Sequence, residues 1–378
     1  MGRAPVRGRY IGRMHTSPLD DRHRELGAKF SEFGGWQMPL EYQGAGVLAE
    51  HRSVRSSVGL FDVSHLGKVA ITGPGAAEFL NRCFTNDLTK IGPGQAQYTF
   101  CCDESGGTID DMLVYVRSAD DVLAMPNAAN SAEVIARLDA AAPDGINIID
   151  LHHEYAVLAV QGPASDDVMT QLGLPIEHPY MTFVEASLDE RSMIVCRSGY
   201  TGERGCELLV NTGDAHYMWD RLMEAGAAHG IQPCGLGARD TLRTEMGLSL
   251  HGHELSTEIT PVMARSGWAI GWNKEEFWGK KALEAQREAK NCRLIRGIRA
   301  AGRAIPRAGM TVRDGDGADV GVVTSGTFSP SLEYGIGLVL VDRDITYDDQ
   351  VQIDVRRRQE TFDVVKPPFV TPVSNPTA

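Results

Sequence analysis

Two adjacent carboxylates, Asp110 and Asp111, stand at the head of the apolar run Met112 to Val116, within the stretch YTFCCDESGGTIDDMLVYV at residues 98–116. The turn residues at 103–107, Asp-Glu-Ser-Gly-Gly, let a backbone reverse, so the segment reads as a β-hairpin. Side chains alternate faces along a strand, which groups Asp111 with Ile109, Leu113 and Tyr115, and Asp110 with Met112 and Val114. Only one of the two acids can then look into a given cavity. A carboxylate at the rim of a buried space is costly unless paired or hydrated. Two uses stay open for it here: chemistry inside the cavity, or capping of turn N–H groups.

Glu207 opens an apolar strand after the loop RSGYTGERG at 197–205, whose glycines, with Tyr200 between two of them, let the backbone approach a ligand. Surface hydrogen bonding is the plain alternative for that acid. In GLGARDTLR at 235–243 a glycine-rich start leads into a helix over 238–246, and its first N–H groups together with Arg239 suit an anion such as a carboxylate. The competing arrangement pairs Arg239 and Arg243 with Asp240 and Glu245 on the helix surface. A dinucleotide fingerprint is rejected, because the third glycine is missing and Pro233 interrupts the strand that should lead in. His251, His253 and Glu254 look like metal ligands, but no third or fourth ligand is spaced for them, so the segment reads as a loop and no metal is expected. His65 reads as a hydrogen-bonded structural histidine.

The chain must supply elements to hold these groups. Its 378 residues suffice for two or three domains with a substantial core, and a net charge of −13 argues against a nucleic-acid backbone as partner. Seven cysteines, none in a Cys-x-x-Cys spacing, point to reduced thiols in a cytoplasmic setting without structural zinc. No run approaches the ~18 apolar residues of a membrane span. Residues 1–13, with Arg3, Arg7, Arg9 and Arg13 and no acid, read as a disordered tail. Helices are expected over 19–30, 47–57, 75–85, 129–142, 164–171 and 282–291, and strands over 155–160, 192–196 and 206–210. Around the hairpin the order strand, helix, strand, strand, helix, strand is that of a split βαβ unit, and the fold class is α+β. Residues 14–290 then form two interleaved α+β domains. From 291 to 371 the composition turns to about six short strands with Gly, Pro and Asp turns, a small β-barrel or sandwich, and 372–378 form a tail.

Eight segments in order, FGGWQMPLEY (33–42), GLFDVSHLGK (59–68), ESGGTIDDMLVY (104–115), LAVQGP (158–163), SGYTGERGCEL (198–208), PCGLGARDTLRTEMGLSLHGHEL (233–255), VTSGTFSPSL (323–332) and VKPPFV (365–370), span nearly all of 15–370. Together they resemble the aminomethyltransferase, or T-protein, family of the glycine cleavage system, in the wider folate-dependent group that includes dimethylglycine and sarcosine dehydrogenases. The resemblance implies a three-domain cloverleaf around a central folate cavity, with a ferredoxin-like domain and a β-rich C-terminal domain. Carried across position by position, it makes Asp111 the catalytic carboxylate and Glu207 and Arg239 folate contacts. It places Asn127, Tyr200 and Trp268 in the lining of the cavity.

The activity so implied passes the methylene carbon of an aminomethyl-dihydrolipoyl arm, carried by a lipoylated H-protein, to tetrahydrofolate, and releases ammonia. Asp111 would orient the pterin, steady the developing cation and accept a proton, while Glu207 would take hydrogen bonds from the amino-pyrimidine edge. Two alternatives come with the resemblance: a folate-dependent demethylase of a small methylated amine or sulfonium compound, and a non-catalytic folate-binding protein.

Overall fold

The run YAVLAVQ is apolar almost throughout because the strand it forms, Tyr155–Gln161, is covered on both faces. It lies inside a sheet of six strands in the order Phe183–Leu188, Arg191–Cys196, Gly205–Asn211, Tyr155–Gln161, Gly59–Asp62 and Gln232–Cys234. One face packs Leu158, Val160, Leu208 and Val210 against the helices Ser165–Gln171 and Ala215–Gly226, from which Trp219 and Leu222 are driven into the core. Each such side chain contributes about 1.5–3 kcal/mol by leaving water. Pro233 sits in the edge strand, where a missing N–H costs the ladder little. The structure, a computed structural model, describes residues 14–356 and 358–374. The tail expected over 1–13, and residues 375–378 of the second tail, lie outside the described residues.

The second sheet is the expected split βαβ unit with one strand more. Its order is Gln95–Cys102, Thr108–Ser118, Asp121–Met125, Val69–Thr72 and Asn147–Asp150, and Asp121–Met125 is the added strand. The helices Ala76–Cys83 and Ser131–Ala141 cover one face with Phe79, Leu80, Val134 and Leu138. The opposite face brings Ala96, Tyr115, Leu123 and Met125 against Phe61, Val157, Ala159 and Leu209 of the first sheet. This seam between the two sheets is where the candidate acids emerge.

The helix expected over 19–30 is shorter than its pattern. It ends as Asp20–Glu25, Gly27 follows with a φ of 71°, and Ala28–Phe33 is a strand paired antiparallel with Trp36–Tyr42. The C-terminal region resolves the choice between barrel and sandwich. Six strands close in the order Leu294–Ala300, Gly335–Val341, Asp319–Phe328, Thr311–Arg313, Gln350–Val355 and Arg358–Val365, which leaves no edge exposed. Ile298, Val312, Val339, Ile353 and Phe362 fill the interior.

Candidate active site

The central hairpin forms as its turn chemistry requires. Asp103 Oδ1 accepts from the N–H groups of Ser105 at 2.8 Å and Gly107 at 2.9 Å, and Gly106 supplies a φ of 83°. Cys101 pairs with Asp110 but Cys102 with Thr108, so Ile109 is the extra residue of a bulge. The bulge turns Ile109 into the helix-covered core with Met112 and Val114, away from the face on which simple alternation puts it. Asp110 is fully buried, whereas Asp111 is half-buried.

The two acids are provisioned differently. Asp110 accepts from the backbone N–H of Asn127 at 2.8 Å and from the side-chain amides of Asn127 and Asn130 at 2.9 and 2.7 Å. Asn127 owes its position to the added strand Asp121–Met125, which ends just before it. Asp111 receives the Tyr98 hydroxyl on Oδ2 at 2.8 Å and only a long contact from Asn127 Nδ2 on Oδ1, at 3.2 Å. Burial pushes the Asp111 carboxyl above its usual range, against the Tyr98 hydrogen bond and the nearby His251. Burial, then the charge of Asp111, push Asp110 well up, against the asparagine amides. Neighbouring carboxylates resist ionising together. Asp111 is thus short of donors and drawn toward the range in which a general base works.

Tyr98 and His251 both lie close enough to act on this acid. The Tyr98 ring stacks on Trp268, with centroids 5.5 Å apart and planes at 22°, although Trp268 is 70% exposed. His251 donates from Nε2 to the carbonyl of Thr108 at 3.1 Å.

On the first sheet Glu207 stands opposite Cys196 and Ala159. Ser198 Oγ donates to one of its oxygens, and the other has no donor among the described residues. Burial raises Glu207, with Ser198 and the charge of Arg239 working the other way. The Arg239 guanidinium lies 4.3 Å over the ring of Tyr200, whose hydroxyl donates to the carbonyl of Ser249. Glu207, Arg239 and Tyr200 line one hollow with Phe61, Val63 and Gln161. The charges of Arg239 and Asp111 both act on the Tyr200 hydroxyl, which links this group to the acid on the other sheet. The glycines of 197–205 are fixed rather than free: a Cβ on Gly199 would lie 2.1 Å from Gln161 Oε1, and Thr201 donates to that same oxygen at 2.8 Å.

The remaining candidates are structural. The N-terminus of the helix Leu236–Met246 already has its anion, since Glu50 accepts from Gly235 N at 2.9 Å and from Tyr42 N at 2.6 Å. Of the surface pairings weighed for Arg239 and Arg243, only Arg243 with Asp240 forms, at 2.7 Å; Arg243 also meets Glu254 at 3.0 Å and Ser325 at 2.8 Å. His253 donates to Thr324 O at 2.8 Å, so the His-Gly-His-Glu segment is a strut to the barrel. Among the described residues no cluster could hold a metal ion. His65 is not the hydrogen-bonded histidine expected. Its Nδ1 has no partner, its ring packs edge-on against Phe33 at 5.3 Å, and burial lowers it to about 3. Tyr98, Ser198 and Asn130 are the site residues that the sequence did not single out, and His251, which the sequence marks only as part of a loop, joins them. Only Tyr98 left a trace, two places along the strand from Phe100, which faces Asp111 across the hairpin.

Residues 19–274 match the GCVT N-terminal domain and residues 293–371 the glycine cleavage T-protein C-terminal barrel domain. An aminomethyltransferase from a Parafrankia species is 58% identical over 361 residues, 96% of this chain and 99% of that one. The aminomethyltransferase of Mycobacterium tuberculosis is 57% identical over 355 residues, 93% of this chain and 96% of that one. The crystal structure of glycine cleavage system aminomethyltransferase T from Bartonella henselae superposes with a TM-score of 0.90 at 34% identity, covering 95% of this chain and 99% of that one. With both sheets, the barrel and the acid-bearing seam inside those matches, the chain belongs to the glycine cleavage T-protein family.

Proposed function

We propose that the chain is the aminomethyltransferase of a glycine cleavage system, which takes the methylene carbon from an S-aminomethyl-dihydrolipoyl arm on a lipoylated H-protein, hands it to tetrahydrofolate and releases ammonia. The observation that carries this reading is Asp111, a half-buried carboxylate short of donors, whose charge reaches Tyr200 in the wall of a hollow that holds a second such acid, Glu207. The lining of the hollow has the chemistry to meet a reduced pterin, and its volume of about 10 Å³ in this structure means that it must widen to admit one. Its unpartnered Glu207 oxygen can accept from an amino-pyrimidine edge, and Phe61, Val63 and Tyr200 offer flat or apolar walls. Tetrahydrofolate, when bound, supplies the ring nitrogens that accept the carbon.

The chain's own groups do the rest. Glu207 fixes the orientation of the ligand through charge-assisted hydrogen bonds. Asp111 faces the region where positive charge develops on the transferred carbon, stabilises it, and accepts the proton released. Tyr98 holds Oδ2 of Asp111 so that Oδ1 stays available. Arg239 balances the charge of Glu207 across the hollow. Asn127 spans the two aspartates, and Trp268 covers Tyr98 at the rim. Among the described residues no helix is long and apolar enough to cross a membrane, and this reading places the enzyme in the cytoplasm.

The test is ammonia release that requires both aminomethyl-loaded carrier and tetrahydrofolate. Demethylation of a small amine or sulfonium compound without carrier would move the chain to the demethylases, and folate binding with neither activity would make it a non-catalytic binder.

A further inference from the structure

After the last barrel strand, Arg358–Val365, the chain runs back over the core. Phe369 N donates to the carbonyl of Glu245 at 2.8 Å, near the end of the helix Leu236–Met246. Pro367 packs against Gly247 just beyond that helix, where an added Cβ would lie 2.3 Å from the proline ring. The segment then reaches Glu203, in the glycine-rich loop at 197–205. Val373 N donates to Glu203 Oε1 at 3.2 Å, and Ser374 donates to Oε2 twice, from its N at 2.8 Å and its Oγ at 2.7 Å. Ser374 Oγ also accepts from Arg204 N at 2.9 Å, so neighbouring loop residues are tied by the same side chain.

Glu203 is only 2% exposed, and a carboxylate so buried depends on its donors. Among the described residues both donors on Oε2 come from Ser374, while Oε1 also takes Arg55 Nη1 at 3.0 Å. The same Arg55 nitrogen donates to the carbonyl of Thr201 at 2.8 Å, and Glu203 N donates to Thr201 Oγ1 at 3.2 Å. Thr201 Oγ1 in turn donates to Gln161 Oε1, and Gln161 Nε2 donates to the carbonyl of Ser198 at 3.2 Å. Gln161, Tyr200 and Thr201 line the hollow, and Ser198 is the donor to Glu207. The bonds thus run without a gap from Ser374 to the groups around the hollow. A segment beyond a last strand frays unless it is tied down, and this one is tied to a buried acid. A loop with three glycines, Gly199, Gly202 and Gly205, loses much conformational freedom when it is fixed. A wall fixed before the ligand arrives leaves less ordering for binding to do.

We infer that Glu203 is a positioning residue for the folate site, held in place by Val373 and Ser374 from the segment that follows the barrel. This rests on the proposed function and deepens it: the loop so held presents Ser198 to Glu207 and Tyr200 to Arg239, and through it the C-terminal segment sets the affinity for tetrahydrofolate. The test is made in the full chain with three substitutions. Ser374→Pro removes the N–H and the hydroxyl together, Ser374→Ala removes the hydroxyl alone, and Ser374→Thr keeps both. Glu203 itself is left unchanged, because removing its charge would leave Arg55 short of a partner and mix folding with positioning. The tetrahydrofolate Kd is read by fluorescence titration, kcat at saturating carrier and folate is followed in parallel, and hydrogen exchange is measured on the peptide covering 198–205. The expected result is a Kd about tenfold higher in Ser374→Pro and about threefold higher in Ser374→Ala, with kcat kept and exchange in the loop faster. Ser374→Thr should bind as the wild type does. A Kd that is unmoved or lowered in Ser374→Pro overturns the positioning role and leaves the transferase reading standing. A fall in kcat as large as the loss of affinity, or faster exchange spread over the barrel and both sheets, makes the segment a general brace and overturns the role as well. A wild type that binds no tetrahydrofolate removes the proposed function, and the positioning role with it.

Discussion

Glu245 and Asp111 are both carboxylates drawn out of water, and the protein treats them in opposite ways. Glu245 accepts from Arg55 Nε and Nη2, each at 3.0 Å, from Ser331 N and Oγ at 3.2 and 3.0 Å, and from Ser329 Oγ, with His51 Nε2 at 3.2 Å. Burial alone would raise it, but His51, Ser329 and Arg55 outweigh that and hold it at about 2. Its donors come from the helix Gly46–Ser56 and from a barrel loop, so a single acid rivets the barrel to the core. Asp111 has one hydroxyl and one long amide contact, and its carboxyl is pushed the other way. Glu207 is similar, with a single protein donor. Saturation fixes a charge and makes it structural. An acid left short of donors keeps the capacity to take a proton or a ligand N–H.

The sharpest way to break this comparison is to neutralise one acid of each kind. Asp111→Asn should lower kcat by on the order of 10²–10⁴-fold while the tetrahydrofolate Kd, read by fluorescence titration, stays near the wild-type value. An equal fall in rate and affinity would return Asp111 to a structural role. Glu245→Gln should do the reverse, costing about 3 kcal/mol in urea unfolding with activity per folded molecule largely kept, because among the described residues it leaves buried Arg55 with Glu203 as its one remaining carboxylate and His51 with none. The pH dependence separates the two further. Glu245 is depressed in the folded state, so its contribution, about 3 kcal/mol, is complete above its unfolded value near 4.5 and is lost as pH falls toward 2. Asp111 is raised, so the folded state binds the extra proton and stability declines as pH climbs through its unfolded value of about 3.9. Unfolding curves between these limits should show the acid-side loss shrink in Glu245→Gln and the opposing slope weaken in Asp111→Asn.

What the sequence made legible was local. The two hairpins follow from turn residues and alternation, and the barrel follows from a change in composition. The strand Ala28–Phe33 was hidden because its apolar residues also fit a helix, and Gly27 decides between them. The bulge at Ile109 depends on how the partner strand pairs, which alternation within one strand does not contain. The rivet at Glu245 was out of reach altogether, since its donors Arg55 and Ser329 lie 190 and 84 residues away. Resemblance pointed to Asp111, Glu207 and Arg239 by position, and the structure supplies the physical reason for attending to the first two: each has fewer donors than its oxygens can accept.

Glu207→Gln tests the same idea on a smaller scale. It replaces an acceptor with a donor facing the ligand edge, so the tetrahydrofolate Kd should rise about tenfold, with kcat at saturation little changed. An unaltered Kd would show that the free oxygen of Glu207 does not meet the ligand. The finest prediction concerns Tyr98→Phe, which keeps the ring stacked on Trp268 and removes only the hydroxyl from Asp111. Asp111 then loses the better of its two side-chain donors while its burial is unchanged, so its ionisation moves further up. If Asp111 works as the ionised base, the acid limb of the kcat/KM profile should shift to higher pH, by about one unit for a charged hydrogen bond of about 1.4 kcal/mol, and the plateau rate should hold. A limb that stays in place while the rate falls at every pH would mean that the hydroxyl touches the reacting groups directly. Tyr98 would then belong with Asp111 among the groups that do the chemistry, and the count of donors on Asp111 would no longer explain why that acid differs from Glu245.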